Sequence, residues 1–451
     1  MRPTLLPTLT LVALLACNGD DGTDTDTGKP TDADADTDTD ADADTDADTD
    51  TDTDTDTDTT GPGTIVDIAA ADPQFSTLVS ALVATGLDET LAGPGPWTVF
   101  APPDSAFAAL GVDLSTLSTE ELSSILLYHV VPGEVPSTAI PPLADAASGV
   151  TLFFDTSAGV RVDDATVTTA DIEASNGIIH VVDGVLLPPD LVDAARYAGL
   201  DALLGAVGDA RPEIAQLLHS PGPYTVFAPD DAAFADAAAV VSGLSQDELT
   251  AVLAYHVYPD ALASTALPAK ADSLLGNAWG HGISALFDGT VVNGSANVVV
   301  TDVHATNGTV HVVDAVLLPP TVVGLAQNAG LTGLLDAVGA ASGDLGTVLS
   351  GPGPFTVFAP DNAAFTAAAP ITSGLTADEL RDVLLFHVVG GDQPVLSGDL
   401  VDGEVHTLLG QPVTVQTTPT VTVEGAAVTA ADLNGTNGVV HVIDGVMLPP
   451  N

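Results

Sequence analysis

Apolar and polar residues follow two spacings in each of three successive stretches of the chain. In the first part of each stretch, apolar residues recur at intervals of three and four, as at Phe75, Leu78, Val79 and Leu82, which is the spacing of one helix face. In the second part, apolar and polar residues alternate, which is typical of half-buried strands. Helical patterns followed by strand patterns predict an α+β fold.

Three short motifs recur in the same order along these stretches. His129, His256 and His387 occupy equivalent positions, separated by 127 and 131 residues. A period this long indicates whole domains and not a short solenoid repeat. We therefore predict three domains, at 64–189, 190–320 and 321–451. The motifs are aromatic-Thr-Val-Phe-Ala-Pro at 97–102, 224–229 and 355–360; aromatic-His-Val at 128–130, 255–257 and 386–388; and Asn-Gly-x-x-His-Val at 176–181, 307–312 and 437–442.

Polar residues indicate where helices begin. A Ser or Thr followed three residues later by Glu forms a capping box, which satisfies unpaired amides at a helix start. We also expect a cap from an Asp or Asn that precedes the helix after the first motif. The Asn-Gly pairs predict tight turns between the last two strands of each domain. The predicted boxes are Ser118 with Glu121, Ser245 with Glu248, and Thr376 with Glu379; the predicted caps are Asp104, Asp231 and Asn362.

The first seventeen residues predict export from the cytoplasm. The apolar run from Leu5 to Ala16 has the length of a signal-peptide core and is too short to span a membrane as a helix. It ends in Leu-Leu-Ala-Cys17, which resembles the lipobox of bacterial lipoproteins, in which the cysteine is lipidated after cleavage. The alternative is an ordinary signal peptide with Cys17 incidental. We expect residues 1–17 to be a lipoprotein signal peptide and the protein to lie in a bacterial envelope or at the cell surface.

Residues 18–63 predict a disordered acidic stalk. Residues 20–60 contain 18 Asp and one basic residue, Lys29, in Thr-Asp and Ala-Asp alternation that can bury no apolar surface. Asp-x-Asp-x-Asp also opens an EF-hand loop, but the Gly and Glu that complete this loop are missing. We therefore expect a spacer with loose divalent-cation association and no specific metal site.

The charge of the chain excludes some partners. With 62 acidic and 7 basic residues, the formal net charge is −55. Nucleic-acid binding is disfavoured because phosphate contacts need Lys and Arg, and the same charge opposes attachment to anionic lipid other than through the anchor. The acidity of the folded part has two interpretations: adaptation to high salt, or a surface that holds divalent cations against an anionic polymer.

The three motifs, in their order and spacing, resemble the fasciclin-like domain family. The resemblance covers about 64–451. It implies three tandem domains, each a β-wedge flanked by helices, in a protein that mediates adhesion or binds extracellular proteins or polysaccharides. It implies no cofactor.

Two adhesive elements of the family can be placed by position. One is the Tyr-His pair, in which the third domain has Phe for Tyr, so that a role of the hydroxyl is in doubt there. The other is the Asp-Ile pair before the closing motif. The candidate binding residues are Tyr128, His129, Tyr255, His256, Phe386 and His387 for the first element, and Asp171, Ile172, Asp302, Val303, Asp432 and Leu433 for the second.

Other interpretations of these residues and of the protein stay open. A His at the end of an apolar helix is usually a buried, hydrogen-bonded structural residue, and no Gly-x-Ser-x-Gly or metal-binding His motif accompanies it. We therefore expect a binding protein and not an enzyme. The alternatives are an enzyme that acts on an extracellular polymer and a purely structural spacer of the envelope.

Overall fold

The computed structural model describes residues 61–450. The predicted signal peptide, the predicted lipidation site Cys17 and nearly all of the predicted stalk lie outside the described residues. Thr59–Asn451 forms one compact unit. Within residues 61–450, no helix has both the length and the apolar character needed to cross a membrane.

Helices occupy most of the first half of each domain, as the spacing predicts. The three predicted capping boxes are confirmed, and Thr64 with Asp67 forms a fourth that was not predicted. The helices are α1 Ile65–Ala71, α2 Ser76–Thr85, α3 Leu87–Ala92, α4 Asp104–Leu110 and α5 Thr119–Tyr128 in domain 1; α6 Leu191–Tyr197, α7 Asp201–Asp209, α8 Pro212–Leu218, α9 Asp231–Asp236, α10 Ala238–Val241 and α11 Gln246–Tyr255 in domain 2; and α12 Val322–Asn328, α13 Thr332–Ala340, α14 Leu345–Ser350, α15 Asn362–Thr372 and α16 Ala377–Phe386 in domain 3.

Each domain contains one sheet of seven strands. The strands are β1 Trp97–Ala101, β2 Val130–Pro132, β3 Leu143–Asp145, β4 Thr151–Asp155, β5 Arg161–Val162, β6 Ala165–Ala174 and β7 Gly177–Val182 in domain 1; β8 Tyr224–Pro229, β9 Val257–Tyr258, β10 Lys270–Gly276, β11 Gly282–Asp288, β12 Val291–Val292, β13 Ala296–Ala305 and β14 Gly308–Val313 in domain 2; and β15 Phe355–Pro360, β16 Val388–Gly390, β17 Gly403–His406, β18 Pro412–Gln416, β19 Thr422–Val423, β20 Ala426–Gly435 and β21 Gly438–Ile443 in domain 3.

The strand order is the same in all three sheets and runs β2-β1-β7-β6-β5-β4-β3 in domain 1. The central pair, β1 with β7, is parallel, whereas the other neighbours are antiparallel. The predicted α+β class and the three tandem domains are therefore confirmed. The Thr-Val-Phe segment of the first motif lies on β1, and the His-Val segment of the closing motif lies on β7. The two segments are therefore side by side in the central pair.

Two apolar clusters make up the core of each domain. In domain 1, one cluster contains Phe75, Leu82 and Leu126 between the helices and the sheet, and the other surrounds Phe100 and Tyr128 among the strands of the second half. Helix α5 contributes to both clusters. The Tyr-His pair at its end therefore lies where the two clusters meet.

Successive domains pack against each other through equivalent strands. At joint 1, between domains 1 and 2, the Thr151 hydroxyl of β4 accepts a hydrogen bond of 2.9 Å from the His304 N–H of β13. At joint 2, between domains 2 and 3, the Ser284 hydroxyl of β11 accepts one of 2.9 Å from the Asn434 N–H of β20. Domain 2 therefore contacts domain 1 on one side and domain 3 on the other.

Candidate functional site

The histidine of the Tyr-His pair is buried and bonded at both ring nitrogens. Helix α5 ends at Tyr128, and His129 is its C-cap. Its Nδ1 donates to the Ile125 carbonyl at 2.7 Å, and its Nε2 accepts from the Leu186 N–H at 2.9 Å. The residue is 2% exposed, and burial lowers its pKa to about 4. A neutral imidazole thus joins the last helical turn to the segment after the final strand.

The other two domains repeat this arrangement. His256 and His387 each bond a carbonyl of the preceding helical turn through Nδ1, at 2.7 and 2.8 Å. Each accepts through Nε2 at 2.9 Å, from the N–H of Leu317 and Met447 respectively. Burial lowers both pKa values to about 4. The three histidines therefore share one tautomer and one structural position.

The tyrosine of the pair lies in a polar pocket inside the second apolar cluster. The Tyr128 hydroxyl lies 2.8 Å from a carboxylate oxygen of Asp163 and 3.1 Å from the Thr151 carbonyl. The other Asp163 oxygen accepts from the Phe153 N–H at 3.0 Å. Burial raises the pKa of the Asp163 carboxyl to about 6, although both hydrogen bonds act in the opposite direction. Burial also raises the pKa of the Tyr128 phenol well above its usual range.

The position facing the tyrosine differs among the domains. In domain 2 it is Asn293, whose amide donates to the Tyr255 hydroxyl at 3.0 Å while that hydroxyl donates to the Ser284 carbonyl. In domain 3 it is Glu424, an exposed residue whose carboxylate accepts from the Thr414 N–H. Phe386 thus occurs in the domain whose residue at the facing position, Glu424, is exposed.

The Asp of the Asp-Ile pair lies at a β-bulge beside the closing-motif histidine. Asp171 has a φ of 58°, and the pairing of β6 with β7 shifts register around it. Its carboxylate accepts from the backbone N–H and the hydroxyl of Ser137, and these bonds lower its pKa. Its own N–H donates to Nδ1 of His180 at 3.2 Å. Asp302 and Asp432 have the same left-handed backbone and bond Ser264 and Ser397 in the same way.

The second residue of the Asp-Ile pair packs inward. Ile172 is half-buried against the helix-side core of domain 1. Val303 and Leu433 are buried in the corresponding cores of domains 2 and 3. Among the candidate binding residues, only Asp171 is exposed to solvent; the others are buried or half-buried.

The closing-motif histidines are also locked by backbone groups. His180 is fully buried, its Nε2 lies 2.9 Å from the Val135 carbonyl, and its ring stacks on Phe100 with centroids 5.3 Å apart. His311 and His441 bond the Leu262 and Val395 carbonyls in the same way. His129 and His180 therefore bond different segments of the chain and do not bond each other.

A family model for the fasciclin domain matches three segments of the chain, residues 73–188, 199–319 and 329–449. The chain belongs to the fasciclin domain family. Among its relatives, the protein sll1483 of Synechocystis is 48% identical over 133 residues, which cover 28% of this chain and 74% of that protein. The cell surface glycolipoprotein MPB83 of Mycobacterium bovis is 33% identical over 150 residues, covering 29% and 66%. The transforming growth factor-beta-induced protein ig-h3 of Sus scrofa is 28% identical over 384 residues, covering 79% and 54%.

The asparagine of the closing motif organises each fasciclin domain, which its turn pattern alone did not reveal. Asn176 accepts from the Ile65 N–H at the start of α1, and its amide donates to the Leu91 and Gly93 carbonyls at the end of α3. Asn307 and Asn437 make the same three bonds. The asparagine lies in the predicted turn, but the glycine begins β7, where a Cβ on Gly177 would lie 1.9 Å from the Trp97 carbonyl oxygen.

The predicted caps Asp104, Asp231 and Asn362 were assigned to the wrong helices. They bond the N–H groups of Thr77, Ala202 and Gly333, each in the first turn of an earlier helix of the same fasciclin domain. The following helix is capped in domains 2 and 3 by the preceding residue, Asp230 and Asp361. Sequence spacing identified the capping chemistry but could not distinguish a local partner from one that tertiary packing supplies.

The polar groups of these fasciclin domains are used mainly in structural bonds. All six motif histidines have both ring nitrogens in contact with backbone groups, so none presents a free nitrogen to a substrate. Within residues 61–450, no group of three or more His, Cys, Asp or Glu side chains is arranged to hold a metal ion. The chemistry available at the surface is hydrogen bonding and charge.

Proposed function

We propose that this protein is a lipid-anchored cell-surface binding protein whose three fasciclin domains contact extracellular proteins or polysaccharides. The observation that supports it best is that the three domains pack directly into one compact unit. The outer surfaces of three related domains are then held at fixed spacing. Weak contacts made together can exceed the affinity of any one of them by orders of magnitude.

Anchoring at Cys17 belongs to the same proposal. The sequence before the stalk carries the lipobox pattern, and a relative from Mycobacterium bovis is named a cell surface glycolipoprotein. Replacing Cys17 with Ser removes the thiol to which the lipid would be attached. Cells that express Cys17→Ser should incorporate no labelled fatty acid into the protein and should release it or retain it uncleaved. Labelling of the variant would contradict the anchor.

Asp171 of domain 1 is the candidate binding residue whose surroundings suit contact with a partner. Asp171 is exposed, whereas Asp432 lies at joint 2, where its carbonyl accepts from the Lys270 ammonium at 2.8 Å. The Tyr-His pairs are enclosed, so we propose that they support the surface instead of touching the partner.

The purified chain should bind saturably in a screen of matrix proteins and polysaccharides, run with and without calcium. Asp171→Asn keeps an acceptor for Ser137 but removes the charge, and it should weaken binding with little change in thermal unfolding. Val83→Ala, at an apolar residue of α2 that is 59% exposed, serves as the control. Turnover of a polymer would favour the enzyme alternative, and absence of any binding would favour a structural spacer.

A further inference from the structure

The joints are made by three equivalent positions on the strands that face the next domain. The register of each strand pair aligns Leu143, Thr151 and Phe153 of domain 1 with Lys270, Ser284 and Leu286 of domain 2, and with Glu404, Pro412 and Thr414 of domain 3. We call these three positions the forward face of a domain. The surface of the next domain that receives them, centred on β13 or β20, is its rear face.

The forward face of domain 1 consists of two apolar residues, Leu143 and Phe153, and the hydroxyl of Thr151. Phe153 is only 6% exposed, belongs to the core cluster of domain 2, and lies 5.6 Å from the Tyr197 ring between centroids. Leu143 packs against the same cluster. Beside them, Arg196 of domain 2 forms an ion pair of 3.0 Å with Asp164 of domain 1. Apolar contact, one hydroxyl and one cation together close joint 1.

The forward face of domain 2 makes the same kinds of contact through different residues. Leu286 packs against the core cluster of domain 3, and the Ser284 hydroxyl accepts from Asn434. The cation is Lys270, whose ammonium donates to the Asp432 carbonyl of domain 3. Only five Lys and Arg residues occur in residues 61–450, and two of them, Arg196 and Lys270, lie at the joints. In so acidic a chain, a cation at each joint offsets repulsion between neighbouring domains.

The forward face of domain 3 has neither the apolar residues nor the hydroxyl of the other two forward faces. Glu404 replaces the Leu or Lys, Thr414 replaces the Phe or Leu, and both are exposed. Pro412 has no hydroxyl to accept an N–H from a rear face. This face therefore offers neither the apolar contact nor the hydrogen bond on which joints 1 and 2 depend.

The rear face of domain 1 differs in a matching way. The residue aligned with His304 and Asn434 is Glu173, and the one aligned with Val300 and Ala430 is Thr169; both residues of domain 1 are exposed. In joint 2, Lys270 bonds the backbone two residues before Asn434. A second copy docked in the same way would place Glu404 close to Glu173, where like charges repel.

We propose that the forward face of domain 3 and the rear face of domain 1 reject a fasciclin domain, so that copies of this chain do not join head to tail. A joint of this kind is heterologous, and if both outer faces were competent it would continue into an open filament. Terminal units of repeat arrays commonly carry polar outer faces that stop such growth. The identity of the forward-face residues decides whether a domain can follow.

The test moves forward-face residues between domains in the full chain, with Cys17→Ser in every version so that neither lipid nor disulfide causes association. Lys270→Glu, Ser284→Ala and Leu286→Thr together give joint 2 the character of domain 3, with Ala in place of Pro to spare the strand. This variant should open joint 2 and increase the radius of gyration measured by small-angle X-ray scattering. Ser284→Thr and Leu286→Phe, which bring in the hydroxyl and the aromatic ring of domain 1 and keep Lys270, should leave the radius unchanged.

Sedimentation over a concentration series supplies the second measurement. The unmodified faces should keep the chain monomeric at every concentration. Circular dichroism must show that each variant keeps the helix and strand content of the parent chain. If the Lys270→Glu triple does not, Lys270→Glu with Leu286→Thr is measured in its place. An equal radius of gyration for both sets of variants would overturn the proposal. Association of the chain with unmodified faces would also overturn it, if Glu404→Arg changes that association and so shows that it is head to tail.

Discussion

At the scale of single residues, the surroundings decide what a motif histidine can do. His129 has the ring of a general base, but both nitrogens bond backbone groups and burial lowers its pKa to about 4. Because the pKa in the unfolded chain is near 6.5, the folded domain gains stability above that pH and loses it as the pH falls toward 4. The folded domain therefore requires His129 to be neutral.

His129→Ala should therefore destabilise domain 1. Leaving the Leu186 N–H and the Ile125 carbonyl unpaired in the interior costs about 1–3 kcal/mol, to which the cavity adds. Chemical unfolding of the variant and of the parent protein measures the loss in free energy. Stability equal to the parent combined with lost binding would contradict the structural role and favour contact with a partner.

Asp163, which faces Tyr128, gives the stability of domain 1 a pH dependence opposite in sign to that from His129. Since folding raises the pKa of Asp163 from 3.8 to about 6, the buried charge opposes folding above pH 6, and the penalty disappears as the pH falls below 4. Asp163→Asn reproduces the residue of domain 2 and should stabilise domain 1 at pH 7 by up to about 3 kcal/mol, the free-energy equivalent of that rise.

The check on Asp163→Asn is the free energy of unfolding measured between pH 4 and pH 7. The gain should vanish at the acid end, where Asp163 of the parent protein is already protonated. Asn293→Asp in domain 2 is the matched control and should introduce the same pH dependence there. A gain at pH 7 that persists unchanged at pH 4 would contradict the buried charge as its cause.

At the scale of helices and strands, one asparagine per domain links three elements. Asn176 joins the start of α1 and the end of α3 to the turn between β6 and β7. An amide suits this position because it both accepts and donates. A carboxylate could accept from Ile65 but would meet the carbonyls of Leu91 and Gly93 without a proton to donate.

Asn176→Asp should consequently destabilise domain 1 as much as Asn176→Ala or more, although Asp has nearly the same shape. We expect a loss of roughly 2–4 kcal/mol for either variant, because two or more partly buried backbone groups lose their partner. Thermal and chemical unfolding measure it. Asn307→Ala and Asn437→Ala should show similar losses in their own domains, and an Asp variant as stable as the parent would contradict the bonding scheme.

Much of this element-level structure could be predicted from the sequence, because its causes are local. Helix spacing, strand alternation and the capping boxes at Ser118, Ser245 and Thr376 depend on neighbouring residues, and the structure confirms them. The partners of Asp104 and Asn176 lie 27 and 111 residues away, and no local pattern identifies them. The same limit applies to Asp163, whose role depends on a tyrosine 35 residues earlier.

At the scale of the whole molecule, the joints couple the domains. Phe153 on β4 packs into domain 2, whereas its neighbour Phe154 faces the core of domain 1, with its ring 5.5 Å from that of Phe100. Two adjacent aromatic residues of one strand thus serve different domains, since side chains alternate across a strand.

Phe153→Ala should separate the unfolding of domain 1 from that of domain 2, seen as an additional transition in calorimetry. The ring that is removed contributes to the contact between domains, so binding by either domain alone should persist. Phe154→Ala is the control, because it should destabilise domain 1 by about 3–5 kcal/mol at most without uncoupling it. If both variants give the same number of transitions, the joint does not transmit stability.

The parallel pairing of β1 with β7 also determines when a domain can fold. Trp97 pairs with Gly177, and Asn176 bonds Ile65, so the first and last parts of each domain meet only after nearly all of it is present. Such non-local contacts give a high contact order and slow folding. During synthesis, when the chain emerges from the ribosome N-terminus first, each domain should stay unfolded until its closing strand has emerged. In fragments that end before Gly177, Gly308 or Gly438, the last domain should be protease-sensitive for the same reason.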